Sequence, residues 1–132
     1  MFFIFKKYFV AFFVSLFVCS PNLFSQNSRS IEKFKTGVFL YEGMDSTKQI
    51  TRTKNKQIEV FNEGKSKLVF DVEWTSDTTY LLRFKKAVNA PGCLQKYDCI
   101  AVVINSISEN SYSCRYVSNN CGEGTSVFYK ID

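Results

Sequence analysis

Leu68-Val69-Phe70-Asp71-Val72-Glu73-Trp74 decides the fold class. Leu68, Phe70, Val72 and Trp74 fall on one face of an extended chain, and Asp71, Glu73 and Thr75 fall on the other. One buried and one wetted face is the mark of antiparallel sheet. The next segment repeats it, with Tyr80, Leu82 and Phe84 set against Arg83 and Lys85. Ile100, Val102 and Ile104 continue the pattern, and Val127, Tyr129 and Ile131 are read the same way.

Working outward, eight extended segments are expected, over 34–41, 48–53, 57–62, 68–74, 79–88, 97–107, 112–117 and 125–131. Glycine, Asn and Asp between them supply turns, and Pro91 cannot donate into a ladder. Gly37, inside the first segment, predicts a bulge or a close backbone approach. No convincing helical period appears beyond Asn27. The expected fold class is therefore all-β. An open sheet of eight strands would expose two long edges, so the expectation is a small antiparallel up-and-down barrel or a strongly curled meander.

The first residues carry a different pattern. Lys6 and Lys7 precede an apolar run of 11 residues, Tyr8 to Val18, followed by Pro21 and small or polar residues. That is the layout of a secretory signal peptide over 1–25, with cleavage between Ser25 and Gln26. The run is shorter than the about 20 residues a membrane-spanning helix needs. An uncleaved anchor and a lipid-bearing Cys19 are the alternatives, and Leu16-Phe17-Val18 suits the latter poorly. A single β-domain over 26–132 remains, and the expected location is secreted or periplasmic. Of the 14 Phe residues, eight lie in the leader, and removing Lys6 and Lys7 takes the net charge from +5 to +3. Such a charge is far from the dense basic footprint of a nucleic-acid binder.

Four cysteines lie outside the leader: Cys93, Cys99, Cys114 and Cys121. An even count in a small exported domain reads as two disulfides. With a turn at 108–111, facing residues have numbers that sum to about 219. Cys99 then lies beside Asn120 and Cys121, while Cys114 lies opposite Asn105. A bridge tolerates Cα separations only up to about 7 Å. The preferred pairing is Cys99 with Cys121 and Cys93 with Cys114. Metal binding is disfavoured, because the spacings are wide and the chain has no histidine.

The absence of histidine also removes His-assisted nucleophiles. No serine sits in a Gly-x-Ser-x-Gly elbow and no phosphate-binding glycine loop is present, so no catalytic, cofactor-binding or metal residue is assigned. Asp71 and Glu73 stand roughly 7 Å apart on one strand face, a separation seen in paired glycosidase carboxylates. The simpler account is cross-strand pairing with Arg83 and Lys85. Lys48, Arg52, Lys54, Lys56, Lys65, Lys67, Arg83, Lys85 and Lys86 are weighed as a basic surface for anionic glycans or headgroups, against edge protection. Trp74, Tyr80, Tyr112, Tyr116 and Tyr129 are candidates for a ligand mouth, against ordinary strand packing.

Phe34-Lys35-Thr36-Gly37-Val38-Phe39, Ile50-Thr51-Arg52, Gln57-Ile58-Glu59, Val72-Glu73-Trp74 and Tyr80-Leu81-Leu82 resemble segments of small exported β-domain proteins from Bacteroidota-type bacteria. The resemblance spans about residues 34–84 and implies export and a β-domain, with no activity attached. The expected role is a non-enzymatic binding module with no cofactor, its partner an envelope protein or an anionic glycan. A lipocalin-like carrier of a small ligand and a protein resembling periplasmic lysozyme inhibitors are the alternatives. A small hydrolase using Asp71 and Glu73 ranks behind them. An open apolar cavity of several hundred Å³ would favour the carrier, and a filled interior would remove it.

Overall fold

The computed structural model describes residues 31–43 and 47–132. The expected signal peptide and Cys19 lie outside the described residues. Among those described, no helix is long and apolar enough to cross a membrane.

Eight strands follow one another: β1 (Gly37–Tyr41), β2 (Gln49–Arg52), β3 (Lys56–Phe61), β4 (Ser66–Trp74), β5 (Thr79–Val88), β6 (Cys99–Ile107), β7 (Ser111–Ser118) and β8 (Gly122–Lys130). Each pairs antiparallel with its sequence neighbours, and β1 also pairs with β8, Leu40 opposite Tyr129, so the sheet closes into an up-and-down barrel. Closure leaves no edge strand to recruit another chain. Register shifts between Val69 and Phe70 on β4 and between Ile104 and Ser106 on β6 supply local bends.

One end is closed by the chain itself. Residues 31–36 turn beneath the barrel and push Phe34 inside, where its ring meets that of Tyr112 edge-on at 5.3 Å. The Lys130 ammonium donates to the carbonyls of Lys33 and Thr36, and the Val38 N–H donates to the Asp132 carboxylate. Gly37 sits at this junction with φ +133°, and a Cβ there would lie 2.7 Å from both Lys130 Cε and Asp132 Oδ1. The glycine is required by both the backbone angle and the crowding. The close approach expected from its position is what the closed end contains.

The opposite end is rimmed by loop 89–98 and by the turns at 62–65 and 119–121. A disulfide between Cys93 and Cys121 ties loop 89–98 to the last of these turns. This corrects the expected pairing, since neither Cys99 with Cys121 nor Cys93 with Cys114 forms; Cys99 and Cys114 are free thiols. The β6–β7 register was anticipated almost correctly, with Ile104 opposite Cys114 and Ile100 opposite Ser118. Strand parity is what the register argument left out. Ile100 points into the barrel, so its neighbour Cys99 points out, while Cys121 turns toward the interior rim. Cys114 is buried inside the barrel on β7.

The β8 expectation also needs correction. Val127, Tyr129 and Ile131 were read as the core face, yet Tyr129 and Ile131 are exposed and Phe128 is buried. Gly124, Ser126 and Phe128 form the inner face, opposite Tyr116, Cys114 and Tyr112 respectively. This parity turns the small Gly124 and Ser126 inward together with Phe128, in place of Val127, Tyr129 and Ile131.

Candidate functional site

The barrel interior divides into a filled half and an open half. At the closed end Phe34, Phe39, Ile50, Phe70, Tyr80 and Tyr112 are completely buried and fill the section. Toward the rim the inward residues include Ala87, Cys114 and Ser126, which leave space above the packed layer. Tyr116 lies across Gly124, where a Cβ would come within 2.5 Å of its hydroxyl. The result is a cavity of about 410 Å³ that runs from Gln57 and Tyr80 up to loop 89–98. Leu68, Phe84, Leu94 and Ile100 make its walls largely apolar.

Its floor is polar. Arg52, the last residue of β2, lies inside the barrel with only 1 % of its surface exposed. Its Nε donates to Gln57 Oε1 at 2.7 Å, Nη1 to the Phe34 carbonyl at 3.0 Å, and Nη2 to the hydroxyls of Tyr112 (2.9 Å) and Tyr80 (3.1 Å). The guanidinium also lies over the rings of Tyr80 and Phe39, at 4.7 and 4.9 Å from their centroids. Burial works against this charge, the two tyrosine oxygens work for it, and the net direction is upward. Arg52 is a permanent cation. Burial raises the pKa of Tyr80 and of Tyr112 and keeps both hydroxyls protonated.

Gln57 hands the polarity upward. Its Nε2 donates to Glu59 Oε1 at 2.8 Å, so the amide accepts from Arg52 on one side and donates to the carboxylate on the other. Glu59 and Tyr41 both line the cavity, and they interact with one another. Glu59 is half-buried and also lines a smaller recess on the β2–β3 side, shared with Lys48, Gln49 and Val60. Burial raises its pKa above the ordinary carboxylate value, and hydrogen bonds from Gln57 and Tyr41 and the Arg52 charge partly oppose the rise. The Cys114 thiol, also on the cavity wall, is pushed up to about 11 by burial, which keeps it a protonated, poor nucleophile.

The rim above this floor is held by several bonds. The Ser66 hydroxyl donates to the Asn89 carbonyl at 2.6 Å, and Asn89 donates back to the Lys65 carbonyl. Asp98 accepts from the Asn120 amide and from the Gln95 N–H, which together lower its pKa. With the disulfide, these contacts fix loop 89–98 at both ends and in the middle.

The residues singled out from sequence are dispersed. Asp71 and Glu73 lie on the outer face of β4, bridged to Lys85 at 3.0 Å and Arg83 at 2.9 Å, and neither lines the cavity. Cross-strand pairing accounts for them. Of the five aromatics, Tyr80 and Tyr116 line the cavity, Trp74 packs tilted against Tyr80, Tyr112 packs at the closed end, and Tyr129 is on the outside. Of the nine basic residues, Arg52 is not on the surface at all, while Lys48, Lys54, Lys56, Lys65, Lys67, Arg83, Lys85 and Lys86 are exposed. Gln57 and Glu59 were not identified as site residues; the signal available was their place two apart beside Phe61 in a short strand. Comparison of the chain with protein-family models, curated proteins and solved structures finds no match.

Proposed function

We propose that this protein is an exported carrier that holds a small, largely apolar molecule inside the barrel. The observation that carries the reading is the cavity: about 410 Å³, apolar in its walls, with a few polar groups converging at one end. Those are the size and lining of small-molecule sites. The closed, packed half gives the barrel its stability, so the open half is free to remain unfilled. A wall that carries Ser126 and Cys114 forgoes apolar burial that larger side chains would supply. The rim is pinned in advance, which lowers the entropic cost of binding. Export is supported by the leader-like pattern of residues 1–25 and by the Cys93–Cys121 bridge, which fits an oxidising compartment.

The test is a titration of residues 26–132 with N-phenyl-1-naphthylamine, an apolar dye that fluoresces out of water. Saturable binding at one site per chain is expected. Ser126→Phe, which places a ring in the cavity, should weaken that binding at least tenfold while keeping cooperative unfolding. Equal binding by the variant would place the dye on the outer surface and remove the carrier reading.

A further inference from the structure

The floor of the cavity gives it a sign. Arg52, Gln57 and Glu59 form a series in which the cation is sealed away and the carboxylate faces the empty space. Every nitrogen of the Arg52 guanidinium already donates: to Gln57, to the Phe34 carbonyl, and to the Tyr80 and Tyr112 hydroxyls. It does not line the cavity, and Gln57 stands between it and the void. Among the described residues that line the cavity there is no Lys or Arg, so a ligand carboxylate would lie against Glu59 with no cation to meet. An ammonium or another strong donor would meet an acceptor that retains lone pairs beyond its bonds from Gln57 and Tyr41. The remaining groups at that level, Tyr41 and Tyr80, are neutral hydroxyls.

We infer that the ligand is a cationic amphiphile: an apolar body in the upper cavity with a protonated amine on Glu59. The inference rests on the carrier reading and deepens it. A buried carboxyl whose ionisation is disfavoured in the empty protein is poised to gain from a cation that neutralises it. The protein's own charge provides a control. At +3 for residues 26–132, non-specific attraction would favour an anionic ligand, opposite to the preference inferred for the cavity.

Three chains of equal length, decylamine, decanol and decanoate, used below their micelle-forming concentrations at pH 7.5, make the test by calorimetry or dye displacement. Decylammonium should bind at least tenfold more tightly than decanoate, with decanol between them. Glu59→Gln should reduce the decylammonium affinity about tenfold, leave decanol within a factor of three, and raise or preserve the melting temperature. A carboxylate kept only to support the fold would instead lower the melting temperature on substitution. If decanol binds but the ammonium holds no advantage over decanoate, the charge inference fails and the carrier reading stands. If none of the three binds, both fail.

Discussion

Arg52→Ala is expected to destabilise the barrel by about 3–5 kcal/mol, the range for breaking a buried charge network by removing one member. The loss has several parts that act together. Gln57 Oε1, the Phe34 carbonyl and two tyrosine hydroxyls lose their donor in a place water does not readily reach. Glu59 loses the cation that partly offsets its burial. The rings of Phe39 and Tyr80 lose a packed partner. Arg52→Lys keeps the charge but not the planar fork, so it should recover only part of the stability. Urea unfolding of the oxidised protein measures both. A change under about 1 kcal/mol for Arg52→Ala, the value of an exposed ion pair, would contradict the placement of Arg52 inside the barrel.

Cys93→Ser with Cys121→Ser should cost about 3–4 kcal/mol, because the bridge closes a loop of 28 residues in the unfolded chain. The bonds from Ser66 to Asn89 and from Asn120 to Asp98 remain, so the barrel should still fold with a loosened rim. Thermal melts with and without reductant read the first effect, and faster release of bound dye reads the second. The same material distinguishes one bridge from two. Cys99 should alkylate readily from the outer face. Cys114 should react only on unfolding, since it is buried and its thiol is held protonated. A wild-type protein over 26–132 with no alkylatable cysteine even when denatured would require a second bridge.

The barrel was readable where strand faces differ sharply. On β4, β5 and β6 the apolar members of each alternating set are the ones buried, and all eight strands appear close to their expected positions. Two strands carry what was not readable. On β3 a simple apolar reading turns Ile58 and Val60 inward, but Gln57, Glu59 and Phe61 face the interior. On β8 the same reading selects Val127 and Tyr129 over Ser126 and Phe128. Burial energy alone favours the more apolar set in both strands; register with their neighbours decides otherwise, because β1 and β7 fix which side of β8 faces in. The polar floor and the open volume both arise at these reversals. Local patterning gives way most often at sites kept for function.

The cysteine pairing failed for a related reason. Numbers along two paired strands predict which residues are level, and Cys99 is indeed near the level of the 119–121 turn. They do not say that loop 89–98 folds back across the barrel mouth to bring Cys93 to Cys121, a contact no alternation encodes.

Amide chemical-shift mapping of the 15N-labelled domain during addition of decanol is the most direct measurement of the central claim. Saturating shifts should concentrate at the inward positions Leu82, Val102, Cys114 and Ser126, with the outward Val103 and Val117 unmoved. Shifts confined to Val103, Val117 and Tyr129, or none at saturation, would mean that the space inside the barrel is not a binding site.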